Sequence, residues 1–198
     1  MRMQYYIYSL FCFLLPGTVW LICNRRMIAD KAYKVRHIIW IYIYMFYGYL
    51  AVQEAAGIGT IWDLITYGKL DNSINLIPFS SEGAMTYILN IIMFMPLGFL
   101  LPLIWKNFRN AKKVVLMGFL MSLAIEICQL FNLRATDIDD LMMNTLGALV
   151  GYCCWKVFSL IFRNAGTKCM EIKKSEPVIY MFGGILGLFL LYNWRVFD

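Results

Sequence analysis

SLAIEICQLFNLRATDIDDLMMNTLGALVG, residues 122–151, carries two strongly apolar runs joined by a short turn at 133–136. Polar residues enter both runs next to that turn and thin out away from it. On a helix, Ser122, Glu126 and Gln129 fall at i, i+4 and i+7 and share one face; Asp137, Asp140 and Asn144 fall at i, i+3 and i+7 and share another. Arg134 lies between the two stripes. A carboxylate inside a long apolar run costs several kcal/mol in hydrocarbon unless it is paired or wetted. In a membrane such a side chain must therefore turn toward other helices. The hairpin reads as the end of two spans, with its polar faces directed inward.

The rest of the chain fits that reading. Of its 198 residues 61% are apolar, 17% aromatic and only 15% charged, where a soluble domain carries about a quarter. This excludes an ordinary soluble domain and leaves no room for a separate one. Six spans are expected, near 5–23, 38–56, 86–105, 114–133, 140–162 and 177–194, in one all-α membrane helix bundle comprising residues 1–198. The net charge of +6 does not point to nucleic acid, because the basic residues gather in loops between spans. Thirteen Lys and Arg fall after spans 1, 3 and 5, against Arg2, Lys69, Arg134 and Arg195 on the other side. The positive-inside rule then places both termini outside the cell, together with the Arg134 turn and the loop containing NLIPF, residues 75–79.

Glu126, seven residues before Leu133, lies about 10 Å below the outer surface. Asn90 in span 3, Asn144 in span 5, and Gln53 and Glu54 in span 2 reach a similar depth. Polar groups from four spans at one level imply a single outward-open pocket. Thr136 followed by Asp139 has the spacing of a capping box for the helix after the turn, and Ser80 with Glu82 has the makings of a cap for span 3. A buried Glu126–Arg134 pair is the structural alternative to a binding role. The pairs Gly147/Gly151 and Gly183/Gly187 predict close helix packing, and Pro16 and Pro96 predict bends. The six cysteines lack metal-site spacing, and His37 is the sole histidine. The thiols read as small buried hydrophobes, and no metal or cofactor is expected.

Four motifs in order, NLIPF at 75–79, NIIMFMPLG at 90–98, EICQ at 126–129 and RATDIDDLMMNTLG at 134–147, resemble the VanZ-like family over about residues 40–155. The resemblance implies a multi-pass protein of the bacterial plasma membrane. The family's namesake is associated with resistance to teicoplanin and related lipoglycopeptides. No catalytic roles come with it. The residues expected to contact a ligand are Asn75, Asn90, Glu126, Gln129, Arg134, Asp137, Asp140 and Asn144. The expected partners are membrane lipids and an amphiphile, either a lipoglycopeptide or a lipid-linked cell-wall precursor. An intramembrane enzyme acting on a lipid headgroup, with Glu126 as base, and a small transporter are the alternatives.

Overall fold

A computed structural model describes residues 2–29, 34–69, 74–79, 83–134, 136–162 and 172–197. The Ser80–Glu82 cap lies outside them. The helices are α1 (Arg2–Cys23), α2 (Arg25–Ala29), α3 (Lys34–Tyr49) continuing as a π-helical segment (Leu50–Ala56), α4 (Ile61–Tyr67), α5 (Ala84–Ile104), α6 (Ala111–Gln129), α7 (Ile138–Ile161) and α8 (Glu176–Leu191). Two short strands, β1 (Ile74–Asn75) and β2 (Thr136–Asp137), pair in parallel. Five helices are long and apolar enough to cross a membrane, and α8 is a shorter apolar helix of 16 residues.

The closest pairing is α5 against α7. It follows from three glycines: a Cβ at Gly98 would collide with the Ala148 carbonyl, one at Gly147 with Ile91, and one at Gly151 with Met95. Backbone therefore lies on backbone, the arrangement that small residues permit in lipid. Helix α8 packs on α1 the same way, with Gly187 under the Cys12 carbonyl and Gly184 under the Phe13 ring. The Gly147/Gly151 pair thus serves packing within the chain; of the second pair Gly187 does so, with Gly184 in place of Gly183. The prolines do not end their helices: α1 runs on through Pro16 and α5 through Pro96 and Pro102. The Tyr47 hydroxyl donates to the Met93 carbonyl (2.9 Å), beside the turn where Pro96 removes a donor.

The helices alternate in direction, which gives the bundle two unlike ends. One carries both termini, the π-helical segment, β1 and β2. The other carries the C-terminal ends of α1, α5 and α7 and, among the described residues, most of the basic side chains. Near the basic end lies a buried knot. Glu176, fully enclosed, accepts from His37 Nε2 (3.1 Å), the Tyr180 hydroxyl (3.1 Å), Trp105 Nε1 (3.2 Å) and the Ile172 amide (3.0 Å). It joins α3, the end of α5 and α8. Cys12 and Cys128 are buried as expected, whereas Cys23, Cys153 and Cys154 face outward; each is a free thiol. The outward three sit on helix faces that no neighbour covers, so their environment is set by exposure and not by core packing. Cys169 lies outside the described residues.

Candidate functional site

Helix α6 closes through a 3-10 turn, Leu130–Asn132, and a left-handed Leu133 (φ 59), with the Arg134 amide returning to the Gln129 carbonyl (3.3 Å). This is the usual way of turning a chain off a helix, with Leu where Gly is common. β2 then pairs with β1, aligning Asn75 with Asp137. The cap of α7 differs from the expected Thr136–Asp139 box. Asp137 is the N-cap, its carboxylate accepting from the Asp139 amide (2.9 Å), while the Thr136 hydroxyl donates to the Glu126 carbonyl (3.3 Å). With Asp137 capping, Asp139 is released for another task.

Asp139 is completely buried and receives three contacts, both oxygens from the Phe79 amide (2.8 and 3.0 Å) and one from the Tyr87 hydroxyl (2.8 Å). It holds Phe79 in a left-handed conformation (φ 60) and so fixes the NLIPF loop. Around it the other polar groups engage in pairs. Asn75 donates to Asp137 (3.0 Å), and Asn90 donates to Asp140. Asn144 donates to Ser122 (2.9 Å), and the Glu126 carboxylate accepts from the Asp137 amide (3.2 Å). Glu126, Asp137 and Asn144 are buried; Asn75, Asn90 and Asp140 are part-exposed. The start of α5, the end of α6, the start of α7 and the strand pair thus enclose one carboxylate-rich cluster.

Gln129 and Arg134 go elsewhere. The π-helical segment ends at Gly57 (φ 66), leaving its last carbonyls without helical donors. Gln129 Nε2 (3.0 Å) and the exposed Arg134 guanidinium both donate to the Ala56 carbonyl, and Asn132 donates to that of Gly57 (2.9 Å). The Glu126–Arg134 pair, the structural alternative to a binding role, is therefore not formed: Arg134 closes a helix end, and Glu126 turns to the strand. Glu54 is also separate. It lies with Tyr5, Tyr6, Ser9, Gln53 and Tyr192 around another cavity. The single pocket expected from depth alone is divided in the structure. Four amide oxygens, on Gln53, Gln129, Asn132 and Asn144, are buried with no partner among the described residues. For Gln129 an amide flip would set oxygen against the Ala56 carbonyl, so its orientation is fixed and its oxygen remains an acceptor.

Beside the cluster, α6 and α7 form an apolar groove of about 480 Å³. It begins at Ile138, between Asp137 and Asp139, and continues along Leu141, Met142, Leu146 and Leu149, with Val115 and Phe119 opposite.

Sequence reasoning missed Tyr87 and Asn132, which carry no charge to mark them. It also missed the Glu176–His37 knot, although an acidic residue directly before Pro177 at the start of an apolar run was a visible signal.

Five long apolar helices and a carboxylate-rich cluster at one end of the bundle define an all-α protein of membrane type. The VanZ/LLP1 family model matches residues 35–160. Over 134 residues, 67% of this chain and 77% of the relative, the sequence is 37% identical to Protein VanZ of Enterococcus faecium. The chain belongs to the VanZ/LLP1 family. No solved structure matches it.

Proposed function

We propose that this is a multi-pass protein of the bacterial plasma membrane, with six crossings and both termini outside, that binds an amphiphile at its carboxylate cluster and supports resistance to teicoplanin-type lipoglycopeptides. The observation that carries the reading is the groove's position. An acyl chain lying between α6 and α7 would run about 16 Å from Ile138 to Leu149. Its polar head would then meet Asn75, Asn90 and Asp140 at the part-exposed rim. Asp140 and the paired amides suit a head rich in sugar hydroxyls or amines, and the exposed Arg134 suits a carboxylate or phosphate. Glu126, Asp137 and Asn144 lie behind this rim and position it, and Gln129 braces the end of the π-helical segment beside Arg134. A lipoglycopeptide or a lipid-linked cell-wall precursor has both parts.

The test is teicoplanin susceptibility in a sensitive Gram-positive host expressing the protein at matched membrane levels. Asp140→Asn keeps the acceptor for Asn90 and removes the charge; Glu126→Gln does the same behind it; Leu146→Trp fills the groove. Each is expected to lower the inhibitory concentration toward that of the empty host. Full resistance in all three variants at equal expression would remove the cluster and the groove from the mechanism.

A further inference from the structure

A second cavity, of about 310 Å³, opens at the end of the bundle that carries the termini. Tyr5, Tyr6 and Ser9 of α1 form one wall, Gln53 and Glu54 of the π-helical segment another, and Tyr192, just past α8, the third. Four of these six lie outside the family match at 35–160. The parts are tied together. The Tyr49 hydroxyl donates to Glu54 Oε1 (2.7 Å) and meets Ser9 Oγ at 2.9 Å, while Tyr8 donates to the Leu191 carbonyl (2.7 Å) and packs against the Tyr192 ring.

The chemistry is one-sided. Three phenol rings, one carboxylate, one hydroxyl and one amide line the space, and no basic side chain does so among the described residues. Glu54 is exposed and takes one hydrogen bond among the described residues, so acceptor capacity remains on its other oxygen. Gln53 adds a buried amide oxygen with no described partner. An anion would meet the Glu54 charge here with no described basic side chain to offset it. A small hard metal ion is held chiefly by several charged oxygen ligands, where this cavity holds a single carboxylate. Ring faces beside a carboxylate are the recognised setting for an organic ammonium.

We propose that this cavity binds the ammonium group of an organic cation, with Glu54 as counter-charge and Tyr5, Tyr6 and Tyr192 as the aromatic walls. The site does not depend on the amphiphile reading, and its occupant is either a free solute or the headgroup of an amine-bearing lipid.

The experiment is a ligand-observed NMR titration of the full chain in phosphatidylglycerol nanodiscs. Choline is compared with 3,3-dimethylbutan-1-ol, which has the same shape without the charge. Choline is expected to bind saturably and its neutral isostere not. Glu54→Gln, which keeps the Tyr49 contact, is expected to weaken choline about tenfold or more, as is Tyr6→Leu. Repeating the titration in nanodiscs containing phosphatidylethanolamine separates the sources. A loss of apparent choline affinity there assigns the site to a lipid headgroup, and an unchanged affinity assigns it to a free solute. Equal binding of choline and the alcohol, no saturable choline binding in phosphatidylglycerol, or undiminished binding by Glu54→Gln would overturn the proposal. The isostere comparison needs no variant, so it stands even if a substitution impairs folding.

Discussion

At Asp139 an enclosed carboxylate faces two donors, the Phe79 amide and the Tyr87 hydroxyl, that belong to a different part of the chain. Removing its oxygens leaves both donors to find water, and frees a loop held at positive φ. Asp139→Ala is therefore expected to lower the unfolding free energy by about 3 kcal/mol, and Tyr87→Phe, which deletes one neutral donor, by about 1 kcal/mol. Denaturant or thermal unfolding of purified protein in detergent measures both. Similar costs for the two variants would mean that the Phe79 contact contributes little. The same residue shows where reading the sequence stops. The acidic first turn of α7 was legible, but the Thr136–Asp139 spacing pointed to Thr136 as the cap, where Asp137 takes that place. Asp137 caps because β2 holds it extended, and that strand exists only through its pairing with Ile74 and Asn75, some sixty residues earlier. A long-range bridge of two residues leaves no periodicity to detect.

Among elements, helix stripes and glycine pairs were legible because they depend only on the 3.6-residue period. Height along a helix was legible as well, since rise per residue is constant, but height says nothing of which neighbour lies at that level. The π-helical segment adds the second difficulty: its i→i+5 bonding shifts the faces of Gln53 and Glu54 from those of a regular wheel. Those two residues consequently join α1 and Tyr192 and not the cluster on α6 and α7. Helix contacts also grade the glycines within one element. On α8 a Cβ at Gly187 would strike the Cys12 carbonyl, whereas one at Gly183 meets Pro16 Cβ at 3.4 Å, an ordinary contact. Backbone on backbone cannot yield as a side chain does. Gly187→Ala should cost about 1–3 kcal/mol and Gly183→Ala less than about 1 kcal/mol, read as the order of melting midpoints by fluorescence-detected size exclusion. Equal midpoints would mean that α1 and α8 separate freely, contrary to the tight seam described here.

For the molecule as a whole, the two ends carry different polar groups for different reasons. The knot on Glu176 gives each carboxylate oxygen two donors within the protein, tying α3, α5 and α8 at the basic end. At the other end the polar groups include part-exposed members and buried amide oxygens with acceptor capacity left. An end that is internally saturated suits a structural clamp, and an end with spare capacity suits ligands. The orientation proposed above, with the saturated end in the cytosol, rests on the positive-inside rule: thirteen basic residues follow the first, third and fifth apolar runs of the sequence, against four on the other side. That orientation decides whether a drug arriving from outside can reach the carboxylate cluster at all. It can be measured by placing a single cysteine in a chain whose native cysteines have been replaced, at Ile77 or at Lys106, both exposed. A membrane-impermeant maleimide added to intact cells is expected to label position 77, in the loop anchored by Asp139, and to reach position 106 only after the membrane is opened. The reverse pattern would put Asp140, Asn90 and Arg134 on the cytosolic face and make direct capture of an extracellular lipoglycopeptide untenable, whatever the groove between α6 and α7 can hold.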